Sequence, residues 1–153
     1  MTKLLVVCLG VILSLPVSET FTLAERIGPL PRAYFRFETS TAKYTVRSDG
    51  FVEVYANNAF NQKRKRAFFL SMMGKGRLEN IYFIEHEGDL FLRYDVIDQG
   101  SYLTRVDQRG RTQRWVRPLN TASSQAPTIY GDMVLVGETL EISKSDGRIL
   151  RQD

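Results

Sequence analysis

The sequence predicts an all-β fold, and three observations lead to that prediction. Short segments in which apolar and polar residues alternate recur along the chain, and a period of two is typical of strands with one buried face. Gly, Asp and Asn occupy the joints between these segments, where β-turns need them. After the N-terminal region, no stretch has the three-to-four-residue apolar spacing of an amphipathic helix.

The first 18 residues have the three-part organisation of a secretory signal peptide. Lys3 provides a positive charge, Leu4 to Leu15 form an apolar and small-residue run, and Pro16-Val17-Ser18 ends that run. The run is shorter than the ~20 residues of a membrane-spanning helix. We therefore expect residues 1–18 to be a signal peptide and the protein to be secreted or periplasmic. An uncleaved anchor and a buried N-terminal strand are the alternatives.

Composition limits the class of the mature chain. A length of 153 residues suits one domain with a real core, and 43% apolar with 25% charged residues is typical of globular proteins. Cleavage would remove Cys8, the only cysteine, so the exported chain would have neither a disulfide nor a cysteine metal site. The net charge of +4 allows weak contact with an anionic surface, and we expect no nucleic-acid partner.

The mature chain divides into a short irregular segment and a β-repeat domain. Residues 19–32 show no strand pattern, and Thr22 to Glu25 have the spacing of a capping box that could start a helical turn before Gly28-Pro29. Residues 33–153 form the predicted β-repeat domain. Its expected strands are 33–37, 43–47, 51–55, 67–73, 81–84, 91–96, 102–106, 113–116, 133–136, 140–142 and 148–150.

Two details of this pattern are specific. Ser48-Asp49-Gly50 separates two alternating segments, which is a strong hairpin signal. Ile81-Tyr82-Phe83-Ile84 is wholly apolar, which predicts a strand buried on both faces.

A longer unit appears twice in the second half of the chain. Gly88-Asp89-Leu90-Phe91-Leu92 precedes a segment that runs from Tyr102 to Gly110, and Gly131-Asp132-Met133-Val134-Leu135 precedes one from Thr139 to Gly147. Each copy has a turn, an apolar strand, an alternating strand and a glycine turn. A repeated four-stranded unit of this kind predicts a β-propeller-like architecture.

These residues resemble the pyrroloquinoline-quinone-type repeat of quinoprotein-like β-propellers. Asp107, Gly110 and Trp115 are similar to the Asp, the Gly and the docking Trp of that repeat, and Gly147 is similar to the turn glycine of the next copy. Ser143 and Arg151 stand where the resemblance leads us to expect Asp and Trp. The resemblance implies that these positions dock one repeat on another.

The chain is long enough for about three such blades, whereas closed propellers have four to eight. We therefore expect an incomplete or open arc whose exposed strand edges could pair with another chain or form an oligomer. A small β-barrel or sandwich is the alternative fold.

Candidate chemistry is sparse. His86, the only histidine, lies between Glu85 and Glu87 at a predicted hairpin tip, where we expect it to be solvated. Lys63, Arg64, Lys65 and Arg66 form the densest basic run and the candidate binding surface; a solvated hairpin tip would have the same composition. We expect no catalytic residue, no metal site and no cofactor.

The sequence thus predicts an exported, non-catalytic, propeller-like repeat module that binds another protein. One alternative is a truncated quinoprotein-type oxidoreductase, for which the resemblance would imply a complete ring and a calcium site. The other is a small exported β-barrel that binds an apolar ligand.

Overall fold

The fold consists of three antiparallel five-stranded sheets. The computed structural model describes residues 17–57, 64–107, 112–119 and 125–152. Sheet I contains, in spatial order, β3 (Glu25–Ile27), β4 (Tyr34–Glu38), β5 (Ala42–Arg47), β6 (Phe51–Ala56) and β7 (Arg64–Phe69). Sheet II contains β2 (Thr22–Leu23), β8 (Leu78–His86), β9 (Asp89–Val96), β10 (Gly100–Asp107) and β11 (Thr112–Leu119). Sheet III contains β1 (Glu19–Thr20), β12 (Thr128–Tyr130), β13 (Met133–Val136), β14 (Leu140–Ser143) and β15 (Ile149–Gln152).

The all-β prediction is confirmed. Each sheet is a meander of four consecutive strands plus one short strand from residues 19–27, and none of the three sheets closes into a barrel. Alternating burial along β4 and β5 matches the alternating sequence. The predicted hairpin at Asp49-Gly50 is also present, because Gly50 has a φ of +83° and donates its N–H to the carbonyl oxygen of Arg47 at 2.8 Å.

Sheet II lies between the other two. One apolar cluster joins sheets I and II and includes Phe35, Tyr44, Leu92 and Tyr94, whereas a second joins sheets II and III. The strand buried on both faces is β9, in which five consecutive residues from Leu90 to Tyr94 are buried. The expectation for residues 81–84 was wrong in this respect, because only Ile81 among them is fully buried.

Residues 19–27 form a strap that joins all three sheets. Its first, second and third strands pair with β12, β8 and β4, each of which is the first strand of its meander. Phe21 and Ala24, each 4% exposed, lie in the clusters between sheets II and III and between sheets I and II. The segment that was expected to be irregular or to start a helical turn is therefore three short strands.

The strap crosses one sheet about every three residues. Glu19 pairs with Ile129, Thr22 with Phe83, and Glu25 with Arg36. An extended chain advances about 3.3 Å per residue, so three residues cover the ~10 Å between two packed sheets. This match explains why Phe21 and Ala24, three positions apart, enter successive layers.

The three meanders repeat one register. In each sheet the third strand has a bulge at the same step: Val54/Tyr55, Arg105/Val106 and Glu141/Ile142. Pairing across the bulge makes Arg66, Trp115 and Arg151 equivalent. The same register makes Ser143 the counterpart of Asp107.

The two Gly-Asp dipeptides, however, are not equivalent. His86 pairs with Asp89 across Glu87-Gly88, whereas Tyr130 pairs with Met133 across Gly131-Asp132. Asp89 thus begins a strand, and Asp132 lies in a turn. Aligning the two dipeptides would make Phe91 and Val134 equivalent. In the observed register, Phe91 corresponds to Leu135 and Val134 corresponds to Leu90. Because side chains alternate along a strand, this one-residue difference puts Phe91 and Val134 on opposite faces of their sheets.

Candidate functional site

Trp115 links sheet II to sheet III. Its indole is 9% exposed, and its Nε1 donates a hydrogen bond to the carbonyl oxygen of Lys144 at 3.1 Å. The ring lies against Gly147, where an added Cβ would come within 2.5 Å of the indole. Phe91 packs edge-on at 6.2 Å between ring centroids. Trp115 therefore lies between sheets, in contact with the turn that precedes β15.

The remaining predicted docking residues have different environments. Asp107 is buried and pairs with the guanidinium of Arg114 within its own sheet. Gly147 adopts a φ of +69°, and its carbonyl oxygen accepts a hydrogen bond from Nε of Arg117. Gly110 lies outside the described residues. Trp115 and Gly147 thus meet across the junction of sheets II and III.

A polar cluster lies at the same junction around His86. Nδ1 of His86 is 2.9 Å from Oε2 of Glu19 on the strap, and Nε2 is 2.9 Å from Nζ of Lys144 on sheet III. Since the lysine ammonium can only donate, Nε2 accepts from Lys144, and Nδ1–H donates to Glu19. His86 is therefore a bridge among three segments, and the expectation of a solvated loop residue was wrong.

Lys144 is the centre of this cluster. Its side chain is 9% exposed, and Nζ also donates to Oε2 of Glu87 at 3.0 Å. The hydrogen bond and charge of Lys144 hold the pKa of Glu87 below its ordinary value. A nearly buried ammonium with two acceptors satisfies the requirement that buried charge be paired.

Arg105 and Asp89 extend the junction. Nε of Arg105 donates to Oδ2 of Asp89 at 2.5 Å, and Nη1 donates to the carbonyl oxygen of Lys144 at 3.1 Å. The Lys144 carbonyl thus accepts hydrogen bonds from both Arg105 and Trp115. Two groups of sheet II, the Arg105 guanidinium and the Trp115 indole, therefore bind the backbone of the turn before β15. The Lys144 ammonium of that turn binds sheet II in return.

The predicted basic surface is described only in part. Lys63 lies outside the described residues, and for Arg64 and Lys65 only the backbone, within or at the start of β7, is described. Arg66 is half-buried at the position equivalent to Trp115. Burial raises the pKa of the Tyr44 hydroxyl, and the Arg66 guanidinium partly offsets that rise. A contact of this run with an anionic surface stays a prediction.

The outer face of sheet I carries charged side chains together with exposed Tyr34 and Phe69. On sheet I, Lys43 and Glu53 occupy the positions that hold Leu90 and Thr104 in sheet II. A cleft of about 620 Å³ opens on this face and is lined by charged and aromatic side chains, including Arg36, Lys43 and Tyr55.

The outer face of sheet III presents Met133 and Leu135 from β13, because Val134 and Val136 point into the core. Beside them on this face lies the ion pair of Glu141 with Arg151. Nearby, Tyr130, Ile149 and Leu150 are 40%, 45% and 47% exposed.

Among the described residues, no group of three or more His, Cys, Asp or Glu side chains could hold a metal ion. Among the same residues, no helix is long and apolar enough to cross a membrane.

Comparison with known proteins identifies no relative. No protein-family model, no curated protein sequence and no solved structure matches this chain.

Sequence reasoning missed three members of the junction: Glu19, His86 and Lys144. Residue type alone gave no signal, because Glu19 and Lys144 are ordinary surface residues in composition. The turn spacing indicates only that His86 lies opposite Asp89 at the end of a hairpin. Only the packing of sheet III on sheet II brings the three side chains together.

Proposed function

We propose that this protein is an exported, non-catalytic repeat module that binds another protein through the outer face of sheet III. In this proposal the three sheets are the blades of an incomplete, propeller-like arc, and sheet III is its open end. The observation that carries the proposal is the repeat register, in which the interface positions of the other sheets correspond to the outer face of sheet III. Export is inferred from the signal-peptide pattern of residues 1–18.

The repeat register supports a docking role for sheet III. Leu135 is the counterpart of Phe91 and Tyr44, and both of those residues are buried where one sheet packs on the next. Arg151 is likewise the counterpart of Trp115, which contacts the neighbouring sheet. The positions of sheet III that correspond to interfaces elsewhere in the chain are thus on its outer face.

Sheet I has the features of a cap. Lys43 and Glu53 replace apolar or buried residues of the other sheets, and the neighbouring Glu38 and Lys43 form a 3.6 Å ion pair. A terminal repeat with a polar outer face is how repeat proteins end a stack in water. Tyr34 and Phe69 are also exposed on this face, so its charged positions and not a lack of apolar side chains distinguish it from sheet III.

The partner that fits is a β-sheet with an apolar face. Every junction within the chain packs one sheet on another, and sheet III presents the same type of surface at half-buried Met133 and Leu135. β15, with exposed Ile149 and Leu150, lies beside this face and is the last strand of sheet III among the described residues, a position suited to β-augmentation.

Chemical crosslinking with a matched pair of variants tests the proposal. The purified mature chain, a Leu135→Asp variant and a Thr45→Asp variant are each crosslinked in the exported fraction of the source cells. Thr45→Asp places the same charge on the outer face of sheet I. We expect the same protein to be captured by the natural chain and by Thr45→Asp, with at least a tenfold loss for Leu135→Asp. Equal capture by all three folded chains would contradict the proposal.

A further inference from the structure

We propose that the outer face of sheet I is a binding site for a neutral, flat glycan chain of the cellulose type. In this proposal an aromatic row stacks on the sugar rings, and a neighbouring polar row binds their hydroxyl groups. The site lies on the opposite side of sheet II from sheet III. The inference therefore goes beyond the protein partner proposed for sheet III and does not depend on it.

The aromatic row consists of Tyr34, Arg47, Phe51 and Phe69, one residue from each of four adjacent strands. Tyr34 pairs with Arg47, and Phe51 pairs with Phe69. The Arg47 guanidinium lies over the Phe51 ring, 5.1 Å from its centroid, and the ring centroids of Phe51 and Phe69 are 4.9 Å apart. Tyr34 and Phe69, at the two ends of the row, are 43% and 60% exposed. Exposed apolar side chains that are grouped and not scattered are typical of a binding site.

The polar row lies two residues further along the strands and on the same face, because side chains alternate along a strand. It consists of Glu25, Arg36, Thr45 and Glu53, which pair in that order across β3 to β6. Two residues of a strand span about 7 Å, so one ligand can contact both rows. A guanidinium donates hydrogen bonds, a carboxylate accepts them and a hydroxyl does both. The row therefore suits the hydroxyl groups of a sugar, which also do both.

The charges of this face favour a neutral ligand. Among the described residues, the charged side chains that line the 620 Å³ cleft are two cations, Arg36 and Lys43, and two carboxylates, Glu25 and Glu38. The carboxylates would repel a polyanion, whereas a neutral chain of hydroxyl groups can bind cations and carboxylates alike. A protein partner fits this face less well, because the cores of protein interfaces are depleted in charged residues.

The spacing of the aromatic row matches a flat chain of sugars. Neighbouring strands lie about 4.8 Å apart, which is close to the length of one sugar unit. The linkages of a cellulose-type chain are equatorial, so the chain is flat and each ring presents an apolar C–H face to the surface beneath it. Exposed aromatic side chains provide a flat apolar surface for such faces. An amylose-type chain curves into a helix, so its rings cannot lie together on a straight row.

Isothermal titration calorimetry with the purified chain tests the inference. The probe is cellohexaose, and the control ligand is maltohexaose, which has the same glucose units in an amylose-type chain. We expect saturable binding of cellohexaose that is at least tenfold tighter than that of maltohexaose. Equal binding of the two ligands, or no saturable binding of cellohexaose to the folded chain, would overturn the inference.

Substitutions of the exposed rings locate the site. Phe69→Ala and Tyr34→Ala should each weaken cellohexaose binding about tenfold, because each removes a stacking surface and leaves the core intact. Phe69→Trp, which keeps an aromatic face, should bind as the natural chain does. Tyr130→Ala, at a ring of sheet III that is 40% exposed, is the matched control and should also bind normally. Circular dichroism checks that each variant is folded.

Three further results would reject the site. They are unchanged binding by both Phe69→Ala and Tyr34→Ala, equal loss in Tyr130→Ala, and tighter binding of the anionic chain polygalacturonate than of cellohexaose. A Leu135→Asp chain should bind cellohexaose normally, because Leu135 lies on the outer face of sheet III. Loss of binding there would assign the glycan to sheet III and refute the site on sheet I. The capture of a protein partner is measured separately, so the proposed function can fail or hold independently of this result.

Discussion

The indole Nε1 of Trp115 donates a hydrogen bond to the carbonyl oxygen of Lys144, at 3.1 Å, across the junction of sheets II and III. The same carbonyl accepts from Arg105, and the side chain of Lys144 reaches His86 and Glu87 on sheet II. One residue of sheet III therefore joins an apolar and a polar part of the junction. The following predictions concern how strongly these contacts hold the sheets together.

Replacing Trp115 with Ala should destabilise the protein by about 3 kcal/mol, the lower end of the range for truncating a buried Trp. The cost arises from lost packing on Gly147 and Phe91 and from an unfilled space between the sheets. Urea unfolding monitored by far-ultraviolet circular dichroism provides the measurement. Leu23→Ala, at a residue 54% exposed, is the control and should remain within about 0.5 kcal/mol of the natural chain.

Gly147→Ala should destabilise the protein through a clash that depends on Trp115. The added Cβ would lie 2.5 Å from the indole, and the φ of +69° is strained for any residue with a side chain. Strain of this kind costs about 1–3 kcal/mol. In a Trp115→Ala background only the backbone strain remains, so Gly147→Ala should cost less there than in the natural chain.

A matched glycine separates these two effects. Gly131 has a φ of +56° and no atom within 4 Å of a built Cβ, so Gly131→Ala should cost the backbone strain alone. Gly131→Ala should lower the protein's free energy of unfolding by the same amount in the natural chain and in the Trp115→Ala background. If Gly147→Ala also has the same effect in both backgrounds, the close contact between Trp115 and Gly147 that the structure shows would be contradicted.

Much of this fold was predictable from the sequence because the meander strands are long enough to show alternation. The segments at residues 43–47 and 51–55 coincide closely with β5 and β6, and Asp49-Gly50 marks their turn. The Ser143 and Arg151 positions were also aligned correctly with Asp107 and Trp115. These signals are local, so the sequence contains them.

The strap could not be predicted in the same way. Its two- and three-residue strands are too short to show a period, and each is stabilised by a distant strand, as with Thr22 and Phe83. The two Gly-Asp dipeptides suggested a wrong alignment of the repeats for a related reason. The alignment depends on which strand residues pair, and the dipeptides lie at different positions of their hairpins. His86 was misjudged because its partners, Glu19 and Lys144, are 67 and 58 positions away from it in the sequence.

Stability at acid pH should depend on Glu87. Lys144 lowers the pKa of Glu87 in the folded protein below its ordinary value of 4.5. The pair therefore contributes stability above pH ~4.5, and that contribution is lost as the pH falls through the folded pKa. Glu87→Gln should flatten this part of the stability profile, measured as urea midpoints between pH 2 and 6.

The effect of Glu87 should be small and sensitive to salt, because its side chain is 73% exposed and solvent screens the pair. Glu138→Gln, at an exposed position in the turn between β13 and β14, is the matched control and should leave the profile unchanged. If the pH dependence of the urea midpoint is the same for Glu87→Gln and the natural chain at low salt, the pair of Lys144 and Glu87 contributes no stability.

Processing of the N-terminus should preserve the strap. We predict cleavage near Ser18, which would place the new N-terminus directly before β1 and leave Phe21 in its buried site. Intact mass and N-terminal sequencing of the protein from the exported fraction provide the measurement. A Leu13→Arg chain, in which a charge interrupts the apolar run, should accumulate uncleaved inside the cell, whereas Leu13→Ile should be processed normally. Recovery of the natural chain with Met1 still attached would contradict the signal-peptide assignment, and a cut beyond Phe21 would remove the residue on which the strap depends.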